Sequence, residues 1–122
     1  MKIESYRDLV AWRKAIEMTV AIYRPTVEFP KEEIYGLTAQ LRRASVSVPS
    51  NIAEGYGRTS TGEYLQFLGM ARGSNLELQT QLVIARRLNI ATLNGIEEAE
   101  NLSIEVNKML VSLLNKIRAS AK

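Results

Sequence analysis

The 122-residue chain has no cysteine and no histidine, only three prolines and seven glycines, and a single tryptophan. The first two absences exclude the most chemistry. Without cysteine there are no disulfides, thiol nucleophiles or thiolate metal ligands. Without histidine there is no imidazole for general acid or base catalysis or for a Cys/His zinc site. A carboxylate-only hydrolase is the residual enzymatic option, so the sequence reads as a non-enzyme with no catalytic residues, no metal and no cofactor. No apolar run approaches the roughly 20 residues that span a bilayer. The amino-terminal MKIESYRDL also lacks the basic segment and apolar run of a signal peptide. The expectation is a cytoplasmic protein without a membrane partner. Scarce glycine and proline, with Leu, Ala, Ile, Glu and Arg prominent, favour helix over sheet.

What is present is arranged around residues 40–58, QLRRASVSVPSNIAEGYGR. At 100° per residue, Leu37, Leu41, Ala44, Val48, Ile52 and Gly55 form one apolar stripe of a helix running from about Leu37 to Tyr56. Ala39, Val46 and Ala53, joined by Pro49, form a second stripe on the opposite side, and a helix apolar on two faces is buried on two faces. Gln40, Arg43, Ser47, Ser50 and Glu54 make a polar line between them. Pro49 removes one amide and frees the carbonyl of Ser45, so the helix should kink unless something compensates. Ser45, Ser47, Ser50 and Asn51 have the short polar side chains that repair such a break.

Three further helices are expected. Ser5 and Asp8 form an N-cap pair for a helix with Leu9, Trp12, Ile16, Val20 and Tyr23 on its inner face, ended by Pro25. A short helical piece over Lys31 to Tyr35 follows Pro30, with Phe29 and Tyr35 plugging one end of the core. Gly55 and Gly57 are placed as left-handed capping residues of the second helix. The pair Ser60 and Glu63 opens a third helix to about Leu88, its core face carrying Tyr64, Phe67, Leu68, Ala71, Leu78, Leu82 and Ala85. Leu65, Leu76 and Val83 add a second apolar line to it. Asn94 and Glu97 open a fourth helix to about Ile117, with Ile96, Ala99, Leu102, Val106, Met109, Leu113 and Ile117 as its seam. Short loops make these neighbours antiparallel, so residues 1–122 read as one domain, an all-α up-and-down four-helix bundle.

Net charge is +3, and its excess lies in residues 37–91, where six arginines face three glutamates. Arg42, Arg43, Arg58, Arg72, Arg86 and Arg87 are the candidate nucleic-acid-binding set, because a guanidinium keeps its charge and binds phosphate bidentately. The structural alternative spends these arginines on Glu54, Glu63 or Glu77. The segment Gly55–Ser60 offers glycines and hydroxyls before a helix, but without the Gly-Lys-Ser/Thr of a phosphate loop helix capping accounts for it.

The chain resembles the 23S rRNA intervening-sequence proteins, small bacterial four-helix bundles. The matching pieces are Asp8-Leu9-Val10-Ala11-Trp12 with Ala15, Ile22-Tyr23, Phe29-Pro30 through Glu33, and Tyr35-Gly36-Leu37. The long central motif QLRRASVSVPSNIAEGYGR follows, then Glu63-Tyr64, Phe67-Leu68, Ala71-Arg72-Gly73-Ser74 and Glu77-Leu78. The resemblance implies a homopentameric ring. Its interface would draw on Ala39, Val46, Pro49, Ala53, Leu65, Leu76 and Val83, and it would carry five times the +3 of one chain. A related branch is similar to the accessory subunit of diversity-generating retroelements, which implies RNA or DNA, and a reverse transcriptase or another protein, as partners.

Overall fold

The computed structural model describes residues 2–90 and 93–120. Four α-helices carry the fold: α1 (Val10–Thr26), α2 (Leu37–Tyr56), α3 (Thr61–Leu88) and α4 (Leu93–Ser120). Two 3-10 turns, Tyr6–Asp8 and Lys31–Glu33, precede α1 and α2, and no strand occurs among the described residues. Each helix packs on its neighbours in the chain, and α1 closes on α4. The result is an up-and-down four-helix bundle, as its short connections require.

The boundaries follow from local chemistry. Ser60 caps α3 by accepting the amide of Glu63 at 3.1 Å, and its hydroxyl donates to the Glu63 carboxylate. The left-handed residue that ends α3 is Asn89, at φ 53°. Gly57 has φ −79° and no glycine among the described residues is left-handed, so the expected glycine cap of α2 is corrected. Gly55 is needed for closeness instead. A Cβ there would lie 2.9 Å from Cβ of Phe67 and 3.1 Å from the Tyr64 ring, so the glycine lets α2 and α3 meet where they turn.

The Ser5–Asp8 box exists, but it caps the 3-10 turn, while α1 starts at Val10 without a side-chain cap. Pro25 falls inside the last turn of α1 rather than ending it. The helical piece after Pro30 stops at Glu33, and Phe29 is buried whereas Tyr35 is 96% exposed, so only Phe29 closes that end. Asn94 lies within α4, so the expected capping box there is not its start.

The core is built from Met18 and Ile22 of α1, Leu41, Val48 and Ile52 of α2, Leu68, Leu78 and Leu82 of α3, and Ile96, Val106 and Leu110 of α4. Each such burial stabilises by about 1.5–3 kcal/mol. The inner face of α1 differs from expectation: Ala11, Ala15, Met18, Ala21 and Ile22 are buried, while Ile16, Val20 and Tyr23 stand outside. Met18 and Ile22 fill the core from this face with alanines between them, and of the expected residues Leu9 is buried and Trp12 half-buried against the core. On α4 the inner line runs through Ser103, Leu110 and Leu114, and Leu102, Met109, Leu113 and Ile117 are half-buried at its edge.

Polar groups fix the register. Thr19 of α1 donates to the Ser45 carbonyl at 2.9 Å, which satisfies the acceptor that Pro49 frees. Ser47 pairs with Ser74 at 2.8 Å across α2 and α3, and Asn51 donates to both the carbonyl and the hydroxyl oxygen of Ser47. Fully buried Asn75 donates to the Ser103 carbonyl and accepts the Ser103 hydroxyl, each at 2.8 Å, joining α3 to α4.

Candidate nucleic-acid interface

The six arginines are not gathered into one cluster. With α2 and α3 aligned by Ser47–Ser74 and Gln40–Gln81, Arg58 sits at the α2–α3 turn and Arg86 and Arg87 at the far end of α3. That separation is about 35 Å at a rise of roughly 1.5 Å per residue. The basic side chains are therefore spread along the length of the α2–α3 half of the bundle, Arg42 on the side of α1 and Arg72 and Arg86 on the side of α4.

Three of them are engaged within the chain. Arg86 forms an ion pair with Glu100 of α4, and that carboxylate is the main cause that raises its pKa. Arg42 is half-buried, donates from Nε to Thr26 Oγ1 at 3.0 Å and lies 4.7 Å from the centre of the Tyr23 ring. Arg72 reaches α4 through a long 3.4 Å contact with Asn107 Oδ1. These partners were outside the sequence reading, which weighed only Glu54, Glu63 and Glu77. Thr26, Tyr23, Asn107 and Glu100 carry no motif that announces such a role, and only the register brings them near.

Arg43, Arg58 and Arg87 are exposed and make no ion pair among the described residues. Arg58 lies 4.5 Å over the Phe67 ring, which holds the guanidinium plane while leaving its edge donors in water. Arg43 is level with Glu77 by register yet forms no ion pair with it. All three are therefore free to meet phosphate oxygens.

The second apolar stripes are largely open. Val46, Leu76 and Val83 are each more than two-fifths exposed, Ala39 is exposed, and Ala53 and Leu65 are half-buried. Pro49 departs from this set. It is buried within the chain, because its position on α2 turns it toward the side where α1 packs.

The sequence signature of the 23S rRNA-intervening sequence proteins matches residues 7–112. The chain belongs to that family. A solved structure, a protein of unknown function from the S23 ribosomal protein family of Bacteroides thetaiotaomicron, is similar to this intervening-sequence protein with a TM-score of 0.79 and 25% identity. The match covers 87% of this chain and 96% of that one. No curated protein matches the sequence. No described helix of this intervening-sequence protein is long and apolar enough to cross a membrane.

Proposed function

We propose that this intervening-sequence protein is a non-enzymatic, self-associating bundle that binds the backbone of RNA or DNA through arginines of α2 and α3. The observation that carries this reading is the set Arg43, Arg58 and Arg87, three exposed guanidiniums without carboxylate partners among the described residues, on the half of the chain that holds all the excess positive charge. Spread over some 35 Å of helix, they suit an extended polyanion better than a single phosphate group. No groove-reading helix motif accompanies them, so binding should show little base preference. Arg42 and Arg72 can add contacts by giving up weak internal ones, whereas Arg86 is held by Glu100.

The proposed partners follow from two surfaces. The exposed line of Leu76 and Val83 on α3, with Val46 on α2, supports assembly with other copies, and a pentamer is the form the family resemblance suggests. The second reading is an adaptor ring for a protein such as a reverse transcriptase, with arginines spent between subunits. It is favoured by the fact that Arg42, Arg72 and Arg86 already serve internal contacts.

The test is a filter-binding or anisotropy titration with an unstructured RNA. Replacing Arg43, Arg58 and Arg87 by alanine should weaken binding at least tenfold at low salt while helicity and assembly are kept. Unchanged affinity in the triple variant would discard the nucleic-acid reading. Recovery of a protein partner that survives nuclease treatment would support the second.

A further inference from the structure

The amino-terminal turn and the second half of α4 enclose an open groove of about 610 Å³, floored by Ile3, Leu9, Val10, Ala11, Met109 and Leu113. Its charged rim is unevenly satisfied. Asp8 accepts the amides of Glu4 and Ser5 and faces Arg13 at 3.6 Å, and Glu105 pairs with Lys14 at 3.5 Å. Lys108 and Lys116, also on the rim, make no ion pair among the described residues. They are eight residues apart on α4, so their backbones are separated by about 12 Å along the axis. The groove thus offers an apolar floor between two uncommitted cations.

The opposite end of α1 presents exposed apolar residues and the complementary charge. Beyond it the chain turns back through a tip where Tyr35 is 96%, Val27 75% and Ile34 51% exposed. Glu28 and Glu32 stand exposed beside them without a cation within ion-pair distance among the described residues, and Lys31 is the one base of the tip. A tyrosine left almost wholly in water gains nothing within its own chain. Tyrosine is among the residues that anchor protein interfaces, with a large rigid body and a polar end.

We infer that the groove between the amino-terminal turn and α4 receives the Ile34–Tyr35 tip of a second copy, with Glu28 and Glu32 set against Lys108 and Lys116. Tip and groove lie at opposite ends of α1, a 17-residue helix about 26 Å long, so every copy offers one of each and the contact is head-to-tail. Such a contact repeats into a chain or closes into a ring. It uses neither the exposed line of α3 nor the arginines, so it is independent of the nucleic-acid reading.

Replacing Tyr35 with the photoreactive p-benzoylphenylalanine tests this directly, because the position is exposed and its substitution leaves the core untouched. Irradiation of the purified, concentrated protein should give intermolecular adducts whose mapped sites fall in residues 3–11 or 105–116. Reversing both lysines, Lys108→Glu with Lys116→Glu, should lower the adduct yield several-fold. Pairing that chain with one carrying the probe and both Glu28→Lys and Glu32→Lys should restore it. Adducts confined to other surfaces, adducts within one chain only, or a yield indifferent to the charge reversals would each overturn the inference.

Discussion

At the scale of single residues, the fold depends on polar groups placed where the backbone is incomplete. Pro49 leaves the Ser45 carbonyl without its helical donor, and the single hydroxyl proton of Thr19 on α1 is shared between that carbonyl and the Ala15 carbonyl of its own helix. Thr19→Val keeps the volume but leaves that acceptor in a half-buried site unpaired, which should cost about 1–2 kcal/mol in chemical denaturation. Thr19→Ser should recover most of the loss, and equal stability for all three proteins would show that water repairs the break. Asp8 makes a second, pH-dependent contribution. The amides of Glu4 and then Ser5, with help from Arg13, hold its carboxyl below its ordinary range. A lowered folded-state pKa means that its stabilisation is present above the unfolded value of about 3.9 and is lost as pH falls through the folded value. The Tm difference between wild type and Asp8→Ala should therefore be seen at neutral pH and vanish in acid, and a constant difference would remove the carboxylate from the explanation.

At the scale of helices, α3 and α4 are joined by a reciprocal pair in which Asn75 and Ser103 exchange two hydrogen bonds in a fully buried site. Ser103→Ala strands the Asn75 carbonyl oxygen and should cost about 1–3 kcal/mol, and Asn75→Leu should cost a similar amount. The double change should cost clearly less than the two together, and strict additivity would mean that the pair does not act as a unit. Much of this scale was legible in the sequence. The start of α3 follows from the Ser60–Glu63 box, and Leu41, Ala44, Val48, Ile52 and Gly55 of the inner stripe of α2 were read, while buried Thr38, Ser45 and Pro49 were not placed on it. The inner face of α1 was read only in part, because Ile16, Val20 and Tyr23 lie outside whereas Met18 and Ile22 lie inside with Ala11, Ala15 and Ala21. Periodicity detects a stripe without deciding which of two is buried. Asn75 and Ser103 were missed for a related reason: polar side chains satisfied by a neighbouring helix look like surface residues until the register is known. Of the candidate site, composition located the basic half, while the sorting of its arginines into held and free needed the partners on α1 and α4.

At the scale of the whole molecule, one bundle is left with apolar residues on its outer surface, Leu76 and Val83 of α3 among them. Leu76→Glu combined with Val83→Glu should shift wild-type oligomers to the mass of one chain in sedimentation while the helical signal is retained. An unchanged mass would remove α3 from the interface. The proposed assembly would also multiply charge, since each added copy would bring +3 and three exposed arginines. That is why the affinity of a polyanion should depend on salt more steeply than one bundle could explain. The decisive measurement is the affinity for an unstructured RNA across a series of salt concentrations. If five subunits each neutralise one phosphate of a single strand, log affinity should fall with log salt at a slope of roughly 3.5, and the slope should flatten in the Arg43, Arg58 and Arg87 alanine variant. An affinity indifferent to salt, or no binding at low salt, would contradict the account.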